Sequence, residues 1–201
     1  MKLEHIRHRL ILPAAPEWGH SDFDLLPEGK PAAPALRAAA VLVPIVNRPE
    51  GPTVLLTRRT AHLSSHAGQI SFPGGRAEPE DPSPEHTALR EADEEVGIPS
   101  SHVEIVGRLD VYRTVTNYAV TPVVGFVRPD FEPRPDPYEV DEVFETPLAF
   151  LLDGRNHVRH SGWFNGQPRR WWAMPYGEYY IWGATAGMLM NLYERLTGGQ
   201  D

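Results

Sequence analysis

Residues 74–98 read GGRAEPEDPSPEHTALREADEEVGI, and they leave the backbone few choices. Phe72-Pro73-Gly74-Gly75 cannot be helical, and paired glycines permit positive φ and a close approach of backbone to a neighbouring group. An acidic, Pro-rich turn follows. Ser83 is then a suitable N-cap, Pro84 stands in the first helical turn, and Glu85 lies near the positive end of the helix dipole. Gly97 supplies the C-cap, and Pro99 blocks continuation. Within this helix Ala88, Leu89, Ala92 and Val96 recur at three- and four-residue spacing and are expected to form the buried stripe.

Glu91, Glu94 and Glu95 stand at i, i+3 and i+4, so their carboxylates share one face. In solvent such pairs repel by roughly 0.2–0.5 kcal/mol each. In a cleft of effective dielectric about 20, a pair ~6 Å apart costs about 3 kcal/mol. A cleft therefore calls for a countercharge, and a hard divalent cation such as Mg²⁺ matches carboxylate oxygens. Arg90, one turn from Glu94, can hold that side chain in place. The plain alternative is a solvated acidic helix face.

The wider pattern bears on that choice. Gly75 is followed by five residues and Asp81, then by eight residues and Arg90-Glu91-Ala92-Asp93-Glu94-Glu95-Val96-Gly97-Ile98. Upstream, residues 55–75 read LLTRRTAHLSSHAGQISFPGG, and residues 181–186 read IWGATA. The first pattern resembles the signature of the Nudix hydrolases: Gly, five residues, Glu, seven residues, then Arg-Glu-apolar-any-Glu-Glu-any-Gly-apolar. Asp81 in place of Glu and the longer second gap are typical of its coenzyme A pyrophosphatase branch. The 55–75 and 181–186 segments resemble that branch's two further signatures, with Thr60 for a small residue and Ser64 for a second Arg.

The resemblance covers about residues 36–197 and implies an α/β protein with a mixed β-sheet sandwiched between α-helices. It divides the chain into a domain over 36–201 and an N-terminal extension, 1–35, packed on or flanking it. It implies hydrolysis of the pyrophosphate bond of coenzyme A or a derivative, giving 3′,5′-ADP and 4′-phosphopantetheine or its acyl form. Mg²⁺ or Mn²⁺ would be held by Glu91, Glu94 and Glu95 with the Gly75 carbonyl. Another nucleoside diphosphate derivative, such as ADP-ribose, is the rival substrate; a non-catalytic binding module is the rival class.

Other residues add to this reading. Arg58 and Arg59, in a polar loop with His62 and His66, offer planar donors to phosphate oxygens, Arg59 above all. Gly74 and Gly75 can bring backbone amides to a phosphate. Among Glu139, Asp141, Glu142 and Glu145, Glu139 is the candidate for orienting or deprotonating the attacking water. Arg90 and Glu139 thus join the three glutamates as catalytic candidates. His5, His8 and His20 are scattered and read as surface.

Strands are expected at 37–46, 53–57, 103–111 and 118–127, the last with Pro122 marking an edge or a bulge. A short helix follows at 147–152, then a hairpin of 158–164 and 169–174 around Asn165-Gly166. The hairpin aromatics Trp163, Phe164, Trp171 and Trp172 read as core, as contacts between two copies in a homodimer, or as a platform for adenine. Residues 182–196 form a closing helix buried through Met188, Leu189, Leu192 and Leu196, with Trp182 packed beside it.

Composition excludes several classes. A formal charge of −8 argues against a nucleic-acid surface. With no cysteine there is no disulfide framework, thiolate nucleophile or zinc-thiolate site. No apolar run reaches the length of a membrane span, and the N-terminus lacks a signal-peptide core, so the expected location is cytoplasmic.

Overall fold

The computed structural model describes residues 1–11, 21–23, 36–63, 66–164 and 167–198. A first helix, α1 (Leu3–Ile11), precedes two long strands, β1 (Arg37–Arg48) and β2 (Gly51–Arg59), and two short ones, β3 (Ile70–Ser71) and β4 (Gly74–Arg76). Helix α2 (Pro84–Val96) leads into β5 (Val103–Arg108), β6 (Tyr112–Arg113), β7 (Tyr118–Val127) and β8 (Val140–Pro147). A single helical turn, α3 (Leu148–Leu151), comes before β9 (Val158–Phe164), β10 (Gln167–Tyr176), β11 (Tyr179–Trp182) and the closing helix α4 (Gly183–Thr197).

The main sheet runs β3-β2-β1-β7-β5, with β8 also on β2, β4 on β1 and β6 on β7. Only β1 and β7 pair in parallel, which makes the sheet mixed. Period-two alternation splits its apolar residues between two layers. Leu42 and Val46 of β1, Leu55 of β2 and Val123 of β7 face Ala88, Ala92 and Val96 of α2. Val43, Ile45, Leu56 and Val124 point the other way, into a core shared with Ile6 and Leu10 of α1, Leu151 of α3 and Leu189 and Leu192 of α4. Each fully buried aliphatic side chain here contributes about 1.5–3 kcal/mol. Helices on both faces hold the sheet as expected from the sequence.

Helix α2 carries the expected caps. The Ser83 hydroxyl accepts from the His86 N–H, Pro84 opens the first turn, and Gly97 closes it at φ 67°. Its buried face differs by one residue. Leu89 is only half-buried, and Thr87 and Glu95 lie inside instead. The short segment before Leu12 is helix α1.

Two readings are corrected. Pro122 marks no edge: β7 is a central strand between β1 and β5, and the bulge lies in β5 between Ile105 and Gly107. The Pro122 carbonyl accepts from the Leu109 N–H instead, where β5 has already ended. Trp182 is not core packing. It stands just ahead of α4, 37% exposed, edge-on to Trp171. The turn at Asn165-Gly166, Ser64 and His20 lie outside the described residues. Among the described residues no helix is long and apolar enough to cross a membrane.

Candidate active site

Strand β4 pairs antiparallel with β1, Gly74 opposite Val41 and Gly75 opposite Ala40. The approach is tighter than a side chain allows. A Cβ on Gly74 would lie 2.5 Å from the Ala40 carbonyl oxygen and from the Val41 Cα. This closeness lets the chain turn over α2 and present its backbone to the acidic face.

Glu95 is buried on that face, 4% exposed. One carboxylate oxygen accepts from the Gly74 N–H at 3.1 Å, and the other lies 3.5 Å from Arg59. Burial pushes the Glu95 carboxyl up to about 7; the Gly74 N–H and Arg59 oppose this, while Glu139 and Glu91 add to it. Glu91 is also raised, chiefly by burial, against the pull of Arg90 at 3.0 Å. Its carboxylate sits against Gly75, where a Cβ would come within 2.5 Å of Oε1. Gly75 and Glu91 therefore share one space.

Arg90 ties the flank together. It donates to Asp81 through Nε and Nη2, to Glu94 at 2.9 Å and to the Arg76 carbonyl at 3.2 Å. Asp81 also accepts from the Thr87 hydroxyl at 2.9 Å and the Glu78 N–H at 3.0 Å, with the His86 ring at 2.8 Å. Arg90 first, then the Glu78 N–H, holds the Asp81 carboxyl well below the usual carboxylate range. Asp81 thus faces Arg90 and not Glu91 or Glu95. The sequence marks it only as a departure from a pattern; its partners come from three separate backbone segments.

The three glutamates are not equivalent. Glu91 and Glu95 turn to the Gly74-Gly75 backbone, whereas Glu94 lies outside, its side chain 59% exposed, on Arg90. Among the described residues no three acidic or imidazole groups converge as a ready metal cage. The donor set nevertheless fits a hard dication: carboxylate oxygens two to three residues from a free turn of backbone, no thiolate, and two carboxylates withdrawn from solvent without full neutralisation. Glu94 reaches them by a rotamer change on an exposed side chain.

Arg59, at the end of β2, lies 3.5 Å from Glu95 and 3.6 Å from Glu139. Its buried Nε has no hydrogen-bond partner. Glu139 is half-exposed on a pinned loop: its carbonyl accepts from the Thr60 N–H at 3.0 Å, and the Asp136 N–H donates to the Glu95 carbonyl at 2.9 Å. Arg58 does not join this group. Neighbouring strand residues point to opposite faces; Arg58 pairs with Asp141 and Glu142 of β8 and lies over the Tyr179 ring.

Comparison with known proteins agrees with this geometry. The model of the NUDIX domain matches residues 36–165. The chain is 49% identical over 157 residues to a protein named "Uncharacterized Nudix hydrolase NudL" from Escherichia coli K12, covering 78% of this chain and 81% of that one. The same figures hold for NudL of Shigella boydii serotype 18. Among solved structures, a MutT/nudix family protein from Enterococcus faecalis superposes with a TM-score of 0.51 at 15% identity, over 84% of this chain and 65% of that one. This last likeness is one of fold.

Proposed function

The chain belongs to the Nudix domain family, and on that premise we propose that it hydrolyses the pyrophosphate bond of coenzyme A or a derivative, with 3′,5′-ADP and a 4′-phosphopantetheine as products. The observation that carries hydrolysis is the withdrawn pair Glu91 and Glu95 set against Gly74-Gly75, with Arg59 at its rim. Support for coenzyme A comes from residues 55–75 and 181–186, which resemble the signatures of that branch.

Glu91, Glu94, Glu95 and the Gly75 carbonyl would hold Mg²⁺ or Mn²⁺, which when bound offsets phosphate charge and acidifies a water. The chain's own residues do the positioning. Arg90, fixed by Asp81, sets Glu91 and Glu94. Arg59 leaves its two long carboxylate contacts for the stronger, forked contact with phosphate oxygens. Glu139, on its pinned loop, orients the attacking water or takes its proton. Positioning and charge stabilisation carry the rate, as in other phosphoryl chemistry.

The test is a panel of coenzyme A, ADP-ribose, NADH and a dinucleoside polyphosphate, assayed with Mg²⁺. Coenzyme A should be cleaved fastest. Equal rates on all four would remove the coenzyme A assignment, and no cleavage of any would leave a binding module. Two variants probe the residues. Glu94→Gln should lose most turnover, about 10–100-fold, at unchanged Tm, because the side chain is exposed. Arg59→Ala should raise KM about tenfold or more, the worth of a charged hydrogen bond. Arg58→Ala should stay within about twofold, since mutations away from the contacts leave binding intact.

A further inference from the structure

Residues 157–177 contain Arg159, Arg169 and Arg170 and no acidic residue, in a chain of formal charge −8. This segment spans β9 and β10. Among the described residues β9 is the outer strand of the order β11-β10-β9 and pairs only with β10. Its sequence, VRHSGWF, has no proline and no carboxylate to guard the edge. Trp163 is 79% exposed and Val158 38%. An indole left this open offers roughly 200 Å² of ring surface, a large share of what one monomer usually shows in a single patch. On the outward face His160, Trp171, Tyr180 and Trp182 form a closed ring of aromatic contacts at 6.0–6.4 Å.

We propose that two copies of this chain associate by pairing their β9 strands antiparallel across a two-fold axis, with Ser161 opposite Ser161. If the sheet continues across such an axis, facing residues lie on the same face, so the register centres on a residue. Centring on Ser161 sets Arg159 opposite Trp163 and His160 opposite Gly162. A guanidinium then meets the most exposed ring of the strand. Arg159 already lies along that face, 5.8 Å over the Trp172 ring. Moving the centre to Arg159 sets two cations face to face, and moving it to His160 sets Trp163 opposite His157. Charge favours the same occupant. The basic hairpin of one copy approaches a partner whose excess charge is negative, whereas a polyanionic partner would be repelled by the rest of the chain.

The interface is at the small end of specific ones, so light scattering after gel filtration should span about 5–200 µM. The mass is expected to rise towards twice 22.5 kDa. Trp163→Glu should hold it at 22.5 kDa with Tm and basal turnover unchanged, because the side chain is exposed and outside the site. The chain has no cysteine, so Ser161→Cys provides a single reporter. Under mild oxidant it should form a disulfide-linked dimer, while Arg155→Cys, on a side chain 89% exposed elsewhere, should not. A monomer at every concentration overturns the proposal, whether or not it binds a single-stranded oligonucleotide. So does a dimer that survives Trp163→Glu, or equal cross-linking by both cysteine variants. None of these readouts depends on which substrate the enzyme cleaves.

Discussion

Glu95→Gln is expected to lower kcat/KM by about 10³-fold and, in EDTA above pH 7, to raise the melting temperature. The two effects have one cause. Glutamine keeps an oxygen for the Gly74 N–H, 3.1 Å away, but removes the charge that burial opposes. For an acid whose folded pKa is raised, the folded state holds the proton longer than the unfolded chain. The stability this brings is complete below the unfolded value near 4.5. It is lost as pH rises through the folded value of about 7. The shift corresponds to about 3 kcal/mol. In a chain of this size that is roughly 10 °C in Tm. Between pH 5 and 8 in EDTA, wild type should therefore lose about that much relative to Glu95→Gln. Adding Mg²⁺ should narrow the difference, because a cation that binds the ionised carboxylate stabilises the folded state by mass action. Parallel Tm–pH curves for the two proteins would show that Glu95 ionises freely and is not held in a charge-starved site. Turnover retained by Glu95→Gln would separate the site from the chemistry altogether.

Much of this was legible because local rules act on residues close in sequence. Ser83, Pro84 and Gly97 set both ends of α2 without help from the rest of the chain. Alternating apolar residues in β1, β2 and β7 announced a sheet covered on both faces. What escaped depends on contacts between distant segments. Leu89 fits the helical stripe as well as Thr87 does, yet Thr87 lies inside, where its hydroxyl reaches Asp81. Arg58 and Arg59 are the same residue type in adjacent positions; only the strand shows that one faces Glu95 and the other Glu142. Pro122 lacks an N–H and was expected at an edge, but the irregularity its neighbours needed was taken up by β5. Asp81 is the clearest case. Its type and spacing are visible, while its work of fixing Arg90 appears only when Glu78, Thr87 and Arg90 meet around it.

Alanine at Gly74 and alanine at Gly75 are expected to fail in different ways, though the positions are adjacent and the change is one methyl group. At Gly74 the new Cβ meets main-chain atoms of β1, the Ala40 oxygen and the Val41 Cα, both at 2.5 Å. Backbone cannot rotate aside, so β4 must leave β1. The cost is about 3 kcal/mol, at the top of the range for overpacking. The result should be a Tm lower by roughly 10 °C, with the N–H that fixes Glu95 lost as well. At Gly75 the Cβ meets the end of the Glu91 side chain, 2.5 Å from Oε1 and 2.6 Å from Cδ. A carboxylate can swing away, so Tm should move by no more than about 2–4 °C. The displaced carboxylate no longer stands beside Glu95, and turnover should fall about 10²-fold, the usual cost of misplacing a positioned group. The pair thus separates fold from site. If Gly75→Ala kept full turnover, the shared space of Gly75 and Glu91 would be packing alone. If Gly74→Ala kept wild-type Tm, the tight approach of β4 to β1 would not be what holds the glycine turn over α2.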